Sequence, residues 1–101
     1  MKKLRKRLPT HPGGILKRQY LEPLGLSVSE VAKAIGVSRK TVSMLVNQRC
    51  AVTPDIALRL ANAFGTSPEL WLNLQQNYDL WQAAHSSTTW KKVHQLSFAS
   101  A

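Results

Sequence analysis

Within residues 38–49 the chain concentrates side chains that can donate hydrogen bonds to base edges and phosphates: Ser38, Arg39, Lys40, Thr41, Ser43, Asn47 and Arg49. Val42 and Leu45 are interleaved among them, so a helix here has one polar and one apolar side. The segment that positions this helix is VSEVAKAIGVSRKTVSMLVN, residues 28–47, which reads as a helix, a tight turn and a second helix. Val31, Ile35, Val37, Val42 and Leu45 are the apolar positions two short helices need to pack together. Ala32 is small where the helices cross, and Ser38 suits the cap of the second helix. Gly36 falls at the turn, where a positive φ is expected and glycine alone adopts it without steric cost. An ordinary helical hairpin satisfies the apolar spacing by itself. The small residue, the glycine and the polar face together favour a helix-turn-helix that reads DNA.

Other chemistry finds little footing. His11, His85 and His94 are far apart, with no ligand-like spacing to acids or to Cys50, so no metal or cofactor is expected. His11 stands in a turn and His85 at a helix end, ordinary places for a surface histidine. Ser38, Ser43 and Ser67 are explained by caps or by the polar face, and no glycine-framed nucleophile surrounds them. Three of the acids Glu22, Glu30, Asp55, Glu69 and Asp79 fall at helix starts, which leaves no acid–base pair. An enzyme is not expected.

The chain has 101 residues, 14 lysines and arginines against 5 acids, and a formal charge of +9. Lys2, Lys3, Arg5, Lys6 and Arg7 place five basic groups in the first seven residues. Residues 12–84 hold seven basic and five acidic side chains, a net +2 only, and Lys91 and Lys92 supply the rest. The excess therefore lies in a leading arm and a trailing tail. Such an arm suits the DNA backbone, though a solvated terminus has the same composition. Cys50 is the only cysteine, so no internal disulfide forms, which fits a reducing cytoplasm. No apolar run reaches membrane-spanning length, and no membrane partner is expected.

The elements that must carry the polar helix form an all-α, compact five-helix bundle. Residues 1–10 read as the basic arm, 11–84 as the helix-turn-helix domain, and 85–101 as a tail in which disorder is open. The first helix opens at His11-Pro12-Gly13-Gly14, buries Ile15, Leu16, Tyr20 and Leu21, and is expected to end at Pro23 and Gly25. Ser27 and Glu30 spell a capping box for the second. Thr53-Pro54-Asp55 starts the fourth helix, with Ile56, Leu58, Leu60, Ala61 and Phe64 at helical spacing. Ser67-Pro68-Glu69 repeats that signal for a fifth, expected to reach Ala84. Its Trp71, Leu74, Tyr78 and Trp81 form one stripe, and Leu70, Leu72 and Leu80 widen it. One stripe fits the core. Leu70, Leu74, Tyr78, Leu80 and Trp81 are thus the expected homodimer surface, since two-fold symmetry doubles the half-sites read.

Three segments make the chain resemble the HigA antitoxin family, lambda-repressor-like proteins of XRE type also described as virulence-associated protein I. They are His11-Pro12-Gly13 with Leu21-Glu22-Pro23-Leu24-Gly25-Leu26; the helix-turn-helix; and Thr53-Pro54-Asp55 through Leu60-Ala61, followed by Trp71-Leu72-Asn73-Leu74-Gln75 and Tyr78-Asp79-Leu80. The resemblance implies a dimer that binds double-stranded operator DNA, represses its own operon and neutralises a HigB-like toxin, an mRNA endonuclease of RelE type. Tyr20 and Glu22 on the first helix are the expected toxin contacts. Gly14, Arg18 and Gln19 replace residues that are often acidic in the family. Gln48 stands where a glycine commonly follows the recognition helix, so that end is expected either to be strained or to use Asn47 in the left-handed conformation. Two alternatives stay open: an interaction module with no DNA role, and an orphan repressor without a toxin.

Overall fold

The computed structural model describes residues 7–97, and among them five helices and no strand. Lys2, Lys3, Arg5 and Lys6 of the basic arm lie outside the described residues; Arg7 is exposed. Helix α1 spans residues 12–24 in three windings: α over Pro12–Ile15, π over Leu16–Leu21 and α again over Glu22–Leu24. Helices α2 (Val28–Ile35), α3 (Arg39–Val46), α4 (Pro54–Phe64) and α5 (Pro68–Ser86) follow.

Each start is written locally. Ser27 accepts from the Glu30 amide while Glu30 accepts from the Ser27 amide, both at 3.0 Å, the reciprocal capping box expected for α2. These bonds also hold the Glu30 carboxyl below its usual pKa, the Ser27 backbone N–H contributing most. Thr53 and Ser67 cap α4 and α5 with the hydroxyl alone, which accepts from the Ile56 and Leu70 amides, and each is followed by a proline and an acid in the first turn.

Pro23 does not end α1. It lies inside the helix, directly after the π winding. A proline has no N–H and its ring crowds the carbonyl four residues back. The wider turn, in which the Glu22 amide bonds to the Lys17 carbonyl, accommodates both defects and carries the helix on to Leu24.

Leu16, Leu21, Val31, Ala32, Ile35, Val42, Leu45, Ile56, Ala57, Leu60 and Trp71 form one core. Trp71 is completely buried and donates from its indole to the Thr66 hydroxyl at 2.7 Å. Tyr20 packs against it and Phe64 against Tyr20, with ring centroids 5.6 Å (Tyr20–Trp71) and 4.8 Å (Tyr20–Phe64) apart. Leu58, named among the apolar residues at helical spacing in α4, is exposed.

His11 is likewise not a surface residue. It is 4% exposed. One ring nitrogen accepts from the Gly13 amide at 2.9 Å, capping α1, and the ring makes a backbone hydrogen bond to Cys50. The Tyr78 ring meets it edge-on at 4.8 Å. Desolvation pushes the His11 pKa down, opposed by Asp79 and by the Cys50 bond. Beside it, Gly13 has no room for a side chain: a Cβ there would overlap the Leu45 carbonyl oxygen at 1.6 Å.

Helix α5 continues through Ser86, and a 3-10 turn follows at Thr89–Lys92, where the Trp90 indole donates to the Ala84 carbonyl at 3.3 Å. Among the described residues no helix is long and apolar enough to cross a membrane.

Two outcomes are expected. Gly13→Ala must displace the α3 backbone and should cost at least about 2 kcal/mol in urea unfolding, within the range for overpacking. Gly14→Ala meets only flexible side-chain ends and should cost far less. Because the folded state holds His11 with a lowered pKa, the unfolded chain binds more protons below the ordinary histidine value of 6.5. Stability should therefore be full above that pH and fall as acid carries the protein through the lower folded pKa. His11→Asn, which keeps a cap acceptor without titrating, should flatten most of this decline in a pH series of melts.

Candidate nucleic-acid interface

The turn that sets α3 against α2 is held from outside the motif. Gly36 closes α2 with φ 72°, as expected. Arg59 reaches across from α4 and donates to the Ile35 carbonyl at 2.8 Å and the Gly36 carbonyl at 3.2 Å. Its Nε is tied to Asp55 at 2.9 Å, so one guanidinium satisfies the end of α2 and is itself oriented by a carboxylate. Sequence reasoning missed this residue. The Asp55/Arg59 spacing of one helical turn shows the ion pair but not where the free edge points.

At the start of α3, Ser38 accepts from the Thr41 amide at 3.1 Å, and the two hydroxyls share a hydrogen bond of 2.8 Å. Both were expected to face DNA. Ser38 is exposed and Thr41 half-buried, and their hydroxyls already bond to one another. Asn47 is engaged as well: its amide donates to the Ser43 carbonyl at 2.8 Å and lies 3.5 Å from the Ser43 hydroxyl. Arg39, Lys40 and Arg49 are exposed, and among the described residues none of them is in an ion pair. Ser43 is half-exposed on the same side.

Met44, one turn beyond Lys40, is also half-exposed on α3 and was not anticipated. Its spacing from Lys40 was the available signal, and an apolar group at this place suits a thymine methyl. Of the two ends expected for this helix, the strained one is found and left-handed Asn47 is not. Asn47 keeps φ at −92°, and Gln48 takes the left-handed conformation with φ 60°, the single positive φ outside glycine among the described residues. The Gln48 and Arg49 amides bond back to the Leu45 and Met44 carbonyls at 3.0 and 2.8 Å, which terminates α3 as a glycine would.

The loop beyond is anchored to α5. Gln75, 7% exposed, accepts from the Val52 amide at 2.8 Å and donates to Asp79 at 2.9 Å. Together with His11 at Cys50, it fixes the loop that leaves α3.

Of the five expected dimer residues, Leu70 and Leu80 are exposed, at 39% and 55%. Leu74 is packed on the core margin, Tyr78 is engaged with His11, and Trp81 is half-buried with its ring stacked on His85 at 3.9 Å. Of the two expected toxin contacts, Glu22 is exposed, whereas the Tyr20 ring fills the junction with Phe64 and Trp71.

A family model described as Helix-turn-helix matches residues 17–71. Antitoxin HigA-1 of Vibrio cholerae is 46% identical over 76 residues, covering 75% of this chain and 71% of that protein. An "uncharacterized HTH-type transcriptional regulator" of Haemophilus influenzae is 45% identical over 80 residues, 79% of this chain and 75% of the relative. Among solved structures, antitoxin GraA in complex with its operator superposes with a TM-score of 0.83 at 36% identity, covering 97% of this chain and 99% of GraA. These are families of regulators and antitoxins, not of enzymes. With matching helices, a matching turn and identity of this extent, the chain belongs to the XRE-type helix-turn-helix family and, within it, to the HigA antitoxins.

Proposed function

We propose that this protein is the cytoplasmic antitoxin of a type II toxin–antitoxin module, a homodimer that represses its own operon and neutralises a HigB-like mRNA endonuclease. The observation that carries the DNA reading is the pair Arg39 and Lys40, exposed without carboxylate partners at the first turn of a helix whose orientation Arg59 and Gly13 fix. In this reading α3 enters the major groove, with Arg39, Lys40 and Ser43 toward base edges and Arg49 toward a phosphate. A dimer through α5 supplies the second half-site. Its support is the exposed Leu80 in a shallow groove lined also by Leu72, Gln75, Gln76 and Asp79, with Leu70 exposed elsewhere on the same helix. The toxin would meet the free end of α1, where Glu22 is exposed and Leu24 is 61% exposed; Tyr20 supports that surface from behind.

Duplex DNA from immediately upstream of the protein's own reading frame tests the first part. Arg39→Ala and Lys40→Ala should each weaken it by about 1–3 kcal/mol where a bidentate base contact is lost, and relax specificity at one base pair. Leu80→Glu, at an exposed position, should leave the circular dichroism unchanged but give a monomer with weakened operator binding. Wild-type affinity in all three variants would remove α3 and α5 from these roles. For the second part, co-expression with the neighbouring small reading frame should restore growth arrested by that frame alone. An apolar anchor such as Leu24 predicts a complex that survives high salt, and Leu24→Glu should abolish the rescue.

A further inference from the structure

Arg18 and Gln48 are 30 positions apart in sequence and meet over a bare backbone. A Cβ placed on Gly14 would lie 3.0 and 3.1 Å from the two terminal nitrogens of Arg18 and 3.2 Å from Nε2 of Gln48. Both side chains therefore converge on the space that glycine leaves open. Both present N–H donors, and neither has a hydrogen bond or an ion pair among the described residues. Glu22, one turn further along α1, is the natural partner for Arg18, yet no ion pair forms between them. The guanidinium instead extends toward the N-terminal end of α1. Turning the Gln48 carboxamide over would hand Arg18 one acceptor and leave its remaining N–H groups facing outward. Two adjoining donors without an acceptor are the complement of an anion.

The location says which anion. Gln48 stands just past the Asn47 cap of α3 and precedes the exposed Arg49, while the Gly13–Leu45 contact seats α1 against the last turn of α3. Arg18 thus moves with the recognition helix as one body. A helix laid in the major groove has its ends beside the two phosphate strands that wall the groove. Gln48 also holds its side chain here at the cost of a left-handed backbone, a conformation glycine would adopt freely.

We infer that Arg18 and Gln48, over Gly14, form a clamp for one phosphate of the DNA backbone, flanking the C-terminal end of α3. This rests on the operator-binding reading above and adds to it a contact made from α1. Arg18 supplies the charge and Gln48 orients it and donates beside it.

The test is a salt series of binding measurements on the upstream duplex and on a random duplex of equal length, with Lys40→Ala as reference. Arg18→Gln should lower the slope of log affinity against log salt by about 0.9 and weaken both duplexes by a similar factor. Gln48→Gly should weaken both while its melting temperature stays equal or rises, which separates lost contact from lost fold. Neutral methylphosphonates introduced one at a time should reveal one phosphate whose replacement weakens wild type and leaves Arg18→Gln unaffected. If Lys40→Ala loses affinity while Arg18→Gln and Gln48→Gly keep the wild-type slope, the clamp is wrong and the DNA reading stands. If wild type itself does not distinguish the upstream duplex from the random one, both fall.

Discussion

Helix α1 approaches the recognition helix more closely than any side chain permits, and that contact governs the surrounding geometry. The Gly13 backbone lies against the Leu45 carbonyl, at a separation where a single methyl would overlap the oxygen. To hold two backbones so near, the start of α1 must be fixed in direction. Pro12 is buried at its first position, and His11 caps it, bonds to Cys50 and packs on Tyr78. A single histidine thus links α1, the loop after α3, and α5. Neutral imidazole suits this because one nitrogen accepts while the other donates.

From that contact the rest of the scaffold is a set of hydrogen-bonded ties onto α3 and its flanks. Arg59 closes the turn before it, and Gln75 holds the loop after it. Neither residue touches the outward face. Both remove polar groups that a short motif would otherwise leave exposed to competing water, and every buried side-chain nitrogen or oxygen among the described residues has a partner. A helix of eight residues has little stability alone. Its rigidity is borrowed from α1, α4 and α5.

The same ties arrange the charge. Asp55 is tied to Arg59, Glu30 to its own cap and Asp79 to Gln75, so three of the five acids are occupied by structure. Arg39, Lys40 and Arg49 are left without counter-charges near α3. A nearly balanced domain in this way presents a locally basic face, and locality rather than net charge is what a groove responds to.

The sequence by itself determined what depends on near neighbours. The five helix starts, the capping box at Ser27 and Glu30, the Gly36 turn and the polar character of α3 all follow from residues within about one helical turn of each other, which is why they were legible. The family could be recognised for the same reason, since its signature segments are contiguous. Tertiary structure alone decided the rest. His11 is buried because α5 brings Tyr78 over a turn that local composition marks as surface. Pro23 lies within a helix because packing of Leu16 and Leu21 favours continuing the chain through a wider π winding. Tyr20 turns inward because Phe64 and Trp71 offer it an aromatic junction. Gln48, not Asn47, takes the left-handed conformation because the chain must reverse there to bring Cys50 to His11 and Val52 to Gln75. In each case the deciding atoms are more than twenty positions away or belong to the packing of a whole helix, and spacing along the chain carries no record of them.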